Sequence, residues 1–188
     1  GTLLTASGAV TASGQYAGGL IGQYSFSNPG SFTTEVTNLS YSSASGNVTG
    51  ASSYVGGLIG GASGWVFDQL STTNTVSQTA GSYAGGLIGS LNYYYNPYNG
   101  GNYGGKLTNS SATVNVTGSG SGYTGGLVGN SVGTSIATSN ATGNVTGSGS
   151  YVGGLVGYNS SAISGSNATG TVTSSSSYTG GLIGYSNG

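Results

Sequence analysis

Any chemistry in this chain has to start from three charged side chains, Glu35, Asp68 and Lys106, because no others exist among its 188 residues. There is no His, no Cys and no Met. General acid–base work needs a His or a carboxylate set against a second titratable group. Glu35 and Asp68 are the only carboxylates. Stacked one coil apart they would form the kind of pair that hydrolyses sugars; a solvated or ion-paired patch is the simpler reading. The chain is therefore expected not to be an enzyme and to have no catalytic residues. Without His or Cys, no metal site of ordinary ligands is expected, and no cofactor. The paired glycines are no phosphate cradle, since neither a Lys nor a helix follows them.

Aromatic side chains are the other candidates. Tyr24, Phe26 and Phe32 fall in one irregular stretch, and Tyr93, Tyr94, Tyr95, Tyr98 and Tyr103 in a second. Trp65 and Phe67 stand at the corresponding point between them. These residues are expected to gather on one corner as a ligand or assembly site, beside the three charges. Six further tyrosines, Tyr16, Tyr54, Tyr83, Tyr123, Tyr151 and Tyr178, open copies of one phrase, Tyr-x-Gly-Gly-Leu-(Ile/Val)-Gly. Rings stacked in this way form a stabilising ladder, or a flat strip for sugars or surfaces.

What must position these residues is an internal repeat. The phrase occupies 16–22, 54–60, 83–89, 123–129, 151–157 and 178–184, at spacings of 38, 29, 40, 28 and 27 residues. A period in this range signals a repeat architecture. The two long spacings hold insertions, placed at 23–40 and 90–107. A Val precedes each Tyr by six or seven residues, as in Gly46-Asn47-Val48-Thr49 and Gly143-Asn144-Val145-Thr146. With the segments near Ile136 and Ile163, each unit reads as three short β-prone pieces separated by Gly, Ser and Asn, which is strand-and-turn punctuation. No apolar period of 3.6 is present, and Gly would cost a helix about 1 kcal/mol per position. The fold expected is all-β, a parallel β-helix (β-solenoid) of about six coils forming one domain over 1–188. A unit supplies roughly 90 Å of extended path, enough for one three-sided coil, and six coils would rise about 29 Å.

The stretch Gly153 to Thr173 (Gly-Gly-Leu-Val-Gly-Tyr-Asn-Ser-Ser-Ala-Ile-Ser-Gly-Ser-Asn-Ala-Thr-Gly-Thr-Val-Thr) resembles the GLUG repeat of large secreted bacterial surface proteins. The resemblance extends over nearly all of the chain outside the insertions. It implies a parallel β-helix in an adhesin-like or exported protein, at the cell surface or outside the cell, and no catalytic residue. Such repeats are usually modules of much longer chains, whereas here they are almost the whole sequence.

Composition narrows the partners. A net charge of −1 excludes electrostatic binding to nucleic acid or to an anionic membrane. No apolar run is long enough for membrane insertion. The 41 glycines would suit a linker, but Leu, Ile and Val at fixed offsets would be superfluous in one. Leu20, Leu58, Leu87, Leu127, Leu155 and Leu182 are expected to form an interior column. Strand neighbours point to opposite faces. Ile21, Ile59, Ile88, Val128, Val156 and Ile183 should then form an outward apolar stripe, a contact surface, unless a corner at the Gly pair turns both columns inward. Asn-x-Ser/Thr occurs at Asn38, Asn47, Asn109, Asn115, Asn140, Asn144, Asn159 and Asn167, where turn formation competes with glycosylation as the reason. A flat Thr-rich face would suit ice, but no clean paired Thr ladder is visible in the sequence.

The chain begins and stops in mid-unit, and a second copy placed after residue 188 would give a Tyr178-to-Tyr16 spacing of 26. It reads as a processed product or a piece of something longer. No capping charge or Pro appears at either end, although open solenoid ends are unpaired edges. Two expectations follow. Copies stack head to tail into a filament, sheath or surface layer, each chain being its own partner; or the chain is an adhesin stalk or carbohydrate-binding module, with glycans or cell surfaces as partners.

Overall fold

A computed structural model describes residues 3–25, 38–64, 66–96, 101–120 and 122–188. Every regular element in it is a strand. The chain winds through six coils as a parallel β-solenoid. Each full coil holds five short strands. In the second they are Leu39–Ser40, Ser43–Ala44, Val48–Gly50, Tyr54–Gly56 and Ile59–Ser63. Each strand pairs in parallel with its counterparts in the coils on either side, so the wall is five sheets, here called faces one to five in that order. Face one has five strands and the others six. The expected three pieces per unit are thus five. The Tyr-x-Gly-Gly-Leu-Ile-Gly phrase supplies two of them, broken by a bend at Gly-Leu, and the Asn-Ala or Ser-Ala step forms its own sheet.

Register is kept through the insertions. Val10, Val48, Val76, Val116, Val145 and Val172 align on face three. Face one aligns Leu39, Phe67, Leu107, Ile136 and Ile163. The insertions are shorter than expected, because the ladders claim their margins: Tyr24 pairs with Ala62, Leu39 with Phe67, Asn92 with Ser63, and Lys106 with Val66. Within the second, Tyr94–Asn96 and Gly101–Tyr103 form an antiparallel pair, the one departure from parallel pairing among the described residues.

The interior is a stack of aliphatic layers. Leu58, Leu87, Leu127 and Leu155 are fully buried, and so are Ile59, Ile88, Val128 and Val156. The outward Ile/Val stripe therefore does not exist, and the hydrogen bonds at the bend show why. From the second coil on, the carbonyl of each Leu accepts two N–H groups from the coil before it. Leu127 O takes Leu87 N at 2.9 Å and Ile88 N at 3.0 Å, and Leu155 O takes Leu127 N at 2.8 Å and Val128 N at 3.1 Å. Consecutive N–H groups that aim the same way cannot belong to a pleat. The chain turns sharply at Leu, and both side chains fall inside. In the outermost coils the same columns open to solvent: Leu20, Ile21 and Ile183 are half-buried and Leu182 is 38% exposed.

A second corner joins faces one and two. Tyr41, Gln69, Asn109 and Thr138 adopt φ of 49–54° there, and Gly165 has φ 54°. The residue that follows is usually Ser. Ser110 Oγ donates to Thr108 O at 2.7 Å and accepts Leu70 N at 3.1 Å; Ser139 Oγ donates to Ala137 O at 2.8 Å and accepts Ser110 N at 3.2 Å. The hydroxyls replace ladder bonds that the left-handed corner interrupts, keeping buried backbone groups satisfied.

Candidate functional surfaces

Asp68 ends a face-one strand. Its carboxylate accepts Thr108 Oγ1 at 2.6 Å, Asn109 Nδ2 at 2.8 Å and Gln69 Nε2 at 3.0 Å. These bonds, led by those from Thr108 and Gln69 with Lys106 assisting, hold its pKa below the usual carboxylate value. A glycosidase proton donor needs the opposite displacement. Lys106 is two residues from Thr108 in the paired strand. Glu35 lies outside the described residues. Among the described residues no group of three His, Cys, Asp or Glu could hold a metal ion.

The aromatic corner divides. Phe67, expected with it, is a core residue at 1% exposure. Its strand alternates Val66 out, Phe67 in and Asp68 out, and register sets Phe67 between Leu39 and Leu107. Tyr24 packs edge-on against it at 5.6 Å. Tyr93 and Tyr95 are exposed, and Tyr94 is half-buried. Tyr103 pairs with Tyr94 through the backbone. Phe26, Phe32, Trp65 and Tyr98 lie outside the described residues.

The six repeat tyrosines form a ladder along face four. Tyr16 and Tyr54 stack at 4.6 Å, and Tyr123 and Tyr151 at 4.8 Å. Burial, and secondarily neighbouring tyrosines, push the pKa of Tyr16, Tyr83 and Tyr123 above 10.0. Sequence reasoning missed a second column. Tyr158 and Tyr185 pair on face five and lie against Tyr151 at 5.9 and 4.9 Å, widening the ladder into a two-ring wall over the last coils. In the earlier coils this column reads Gln23, Gly61, Ser90 and Asn130. Small residues there leave a groove of about 70 Å³ between Tyr16, Tyr54 and Tyr24 on one hand and Gln23, Ser90 and Asn92 on the other. Asn130 Nδ2 bonds Ser90 Oγ at 3.0 Å and Asn92 Oδ1 at 3.2 Å at its far side.

Face three carries one in-register column of five Thr and one Ser, beside a mixed column of Asn and Thr rather than a second Thr column. Thr11, Thr49, Ser77, Thr117, Thr146 and Thr173 are in register. Unequal spacings and the mixture of Thr with Ser and Asn hide this in the sequence. Of the glycosylation acceptors, Asn159 is buried, whereas Asn47, Asn115 and Asn144 are exposed and spend their side-chain oxygens on the N–H of the next coil.

The end surfaces are the last candidates. A Cβ built on Gly57, Gly86, Gly126 or Gly154 would sit 2.0–2.1 Å from the carbonyl oxygen of the equivalent Gly one coil on; the same atom on Gly181 meets nothing within 4 Å. Gly8 is likewise open, while its counterparts Gly46 and Gly170 would strike a carbonyl at 2.1 and 2.0 Å. Leu3 and Leu4 are exposed at the first coil. No helix of the described residues is long and apolar enough to cross a membrane.

Comparison with known proteins agrees with this repeat structure. Residues 148–173 match the family model of the GLUG motif. They run from the end of face three in the fifth coil to face three in the sixth, one complete turn. No curated protein and no solved structure matches the chain.

Proposed function

We propose that the protein is a structural subunit of an extracellular filament, sheath or surface layer, and that copies assemble head to tail by continuing the solenoid. The observation that carries this reading is the equivalence of the coils. Sheets two to five run from the first coil to the sixth in one register, so the upper surface of any coil is the template for the lower surface of any other. Leu182 and Ile183 N–H would meet the Leu20 carbonyl of the next copy, as Leu155 and Val156 meet Leu182 O within the chain. The exposed Leu182 and Leu4, whose counterparts Leu155 and Ser42 are buried within the chain, would be covered in the same step. A contact of this kind does not close on itself and grows a fibre. An almost uncharged polar surface with a single Lys and no Arg offers trypsin-like proteases one cleavage site, which suits an exposed extracellular position.

The test is sedimentation over a concentration series at low and high salt. Ladder hydrogen bonds and buried leucines are weakly screened. The expected result is concentration-dependent growth that is unchanged by salt. A chain that stays monomeric at every concentration, or a polymer dissolved by moderate salt at neutral pH, refutes the reading.

The groove beside Tyr16 and Tyr54 favours a second reading, an adhesin or carbohydrate-binding module. Aromatic rings facing Gln23, Asn92 and Ser90 combine a stacking surface with amide and hydroxyl hydrogen bonds, which is the chemistry of a sugar site. A glycan array on the chain and on Tyr54→Ala tests it, and equal signal from both counts against it.

A further inference from the structure

The geometry points to face three as an ice-binding surface. From Ser45 to Ala51, and at the same positions in the next three coils, exposed and inward residues alternate. The outward ones are almost all Thr, Ser or Asn, and none is charged. Thr-Val-Asn-Val-Thr-Gly-Ser from Thr113 and Thr-Gly-Asn-Val-Thr-Gly-Ser from Thr142 show the pattern. Register makes this a two-dimensional array, with steps of about 4.8 Å along the solenoid axis and about 6.7 Å along the strand. Those distances are on the scale of the oxygen repeats at the surface of hexagonal ice.

Three features separate this array from an ordinary polar surface. First, it is fixed. The backbone is laddered on both sides, and Asn47, Asn115 and Asn144 are tied by their side-chain oxygens to the neighbouring coil at 3.0, 2.9 and 3.0 Å. Second, the hydroxyls of Thr49, Thr117, Thr146 and Thr173 make no hydrogen bond within the protein among the described residues. Each can both donate to and accept from water. The Thr methyl beside each hydroxyl restricts the orientation of that water. Third, the face is neutral, as an ice surface is. Asp68 and Lys106 stand on face one, and among the described residues face three carries no charged side chain. A crystalline polysaccharide is the competing lattice. Planar sugars call for aromatic rings, and the two tyrosine columns stand on faces four and five.

The experiment is partition of the 188-residue chain into a slowly growing ice front, with ice recrystallisation inhibition as a second readout. The variants are Thr117→Lys and Thr146→Lys on face three and Ala162→Lys outside it, each checked for fold by circular dichroism. The expected result is enrichment of the unmodified chain in the ice. Each Thr→Lys change should cut it about tenfold, because an ammonium pressed against a neutral lattice loses hydration without a partner. Ala162→Lys should remain enriched. Exclusion of the unmodified chain from ice overturns the inference. Equal partition of all four proteins also overturns it, as does binding to microcrystalline cellulose that is lost in Thr117→Lys while ice partition is absent. The inference does not depend on stacking: Gly181→Ala, which should remain unstacked, is expected to enter ice as well.

Discussion

Replacing Gly126 or Gly181 by Ala adds the same methyl group to equivalent bends, with opposite expected consequences. At Gly126 the new Cβ lies 2.1 Å from Gly154 O, and ordinary contact begins at 3.4 Å, so the coils must part by roughly 1.3 Å. The bonds from Leu127 N and Val128 N to Leu155 O, 2.8 and 3.1 Å long, do not survive that movement. Each buried group left without a partner costs about 1–3 kcal/mol, so the pair costs about 2–6 kcal/mol, a large share of a domain's stability. Gly181 has nothing within 4 Å of its Cβ. The chain alone should melt as the unmodified protein does, or slightly higher through reduced freedom of the unfolded state. In a stack, however, that Cβ would meet the Gly19 carbonyl of the next copy. The same 2–6 kcal/mol then falls on the junction and lowers the association constant by one to four decades. The assays are thermal melting by circular dichroism and the critical concentration for sedimentation. Gly181→Ala polymerising like the unmodified chain, or melting as low as Gly126→Ala, would rule out this difference between the two bends.

The other predictions concern the wall itself. Leu127→Ala empties a fully buried site in the middle of the stack and should cost about 2–5 kcal/mol in denaturant unfolding; a loss below 1 kcal/mol would mean that the column is not packed as described. Ser110→Ala removes the acceptor of Leu70 N and should cost about 1–3 kcal/mol, whereas Thr117→Ala, on an exposed hydroxyl without a protein partner, should be nearly neutral. Tyr16, Tyr83 and Tyr123 have folded pKa values above the ordinary 10.0. Folding therefore favours the neutral phenols. Their contribution is complete below pH 10.0 and is lost as pH rises through the raised values. Phenolate absorbance should lag in the folded chain, and melting temperature should fall above that point, less steeply in Tyr123→Phe. Coincident phenolate titration of folded and unfolded chain contradicts this.

Particular residues show how much of this was legible beforehand. The period, the strand class and the Leu and Val columns follow from the spacing of Gly, Leu and Val, because each coil must present the same apolar layer to the next. The five-sheet wall does not follow, since strands of two or three residues are defined by bonds to other coils and leave no local alternation. Ile88 points inward because Leu127 O takes two consecutive N–H groups, a fact of pairing between coils 40 residues apart. Phe67 sits beside Trp65 in sequence and reads as part of an aromatic patch until register sets it against Leu39 and Leu107. Tyr158 and Tyr185 fall just after the repeat phrase, where the other coils have Gln, Gly, Ser or Asn, so they belong to no visible motif. The Thr column was hidden for the related reason that insertions on faces five and one shift the numbering without shifting the register.

Head-to-tail assembly requires one copy's sixth coil to continue into another's first. Cryo-electron microscopy of the assembled protein measures this directly as the axial rise per subunit. Six coils at the sheet spacing give about 29 Å for a directly continued solenoid. Unbranched filaments with that rise, and a layer repeat of about 4.8 Å running through the subunit boundary, are the expected result. Isolated monomers at all concentrations, or filaments whose layer repeat is interrupted at each junction, contradict it.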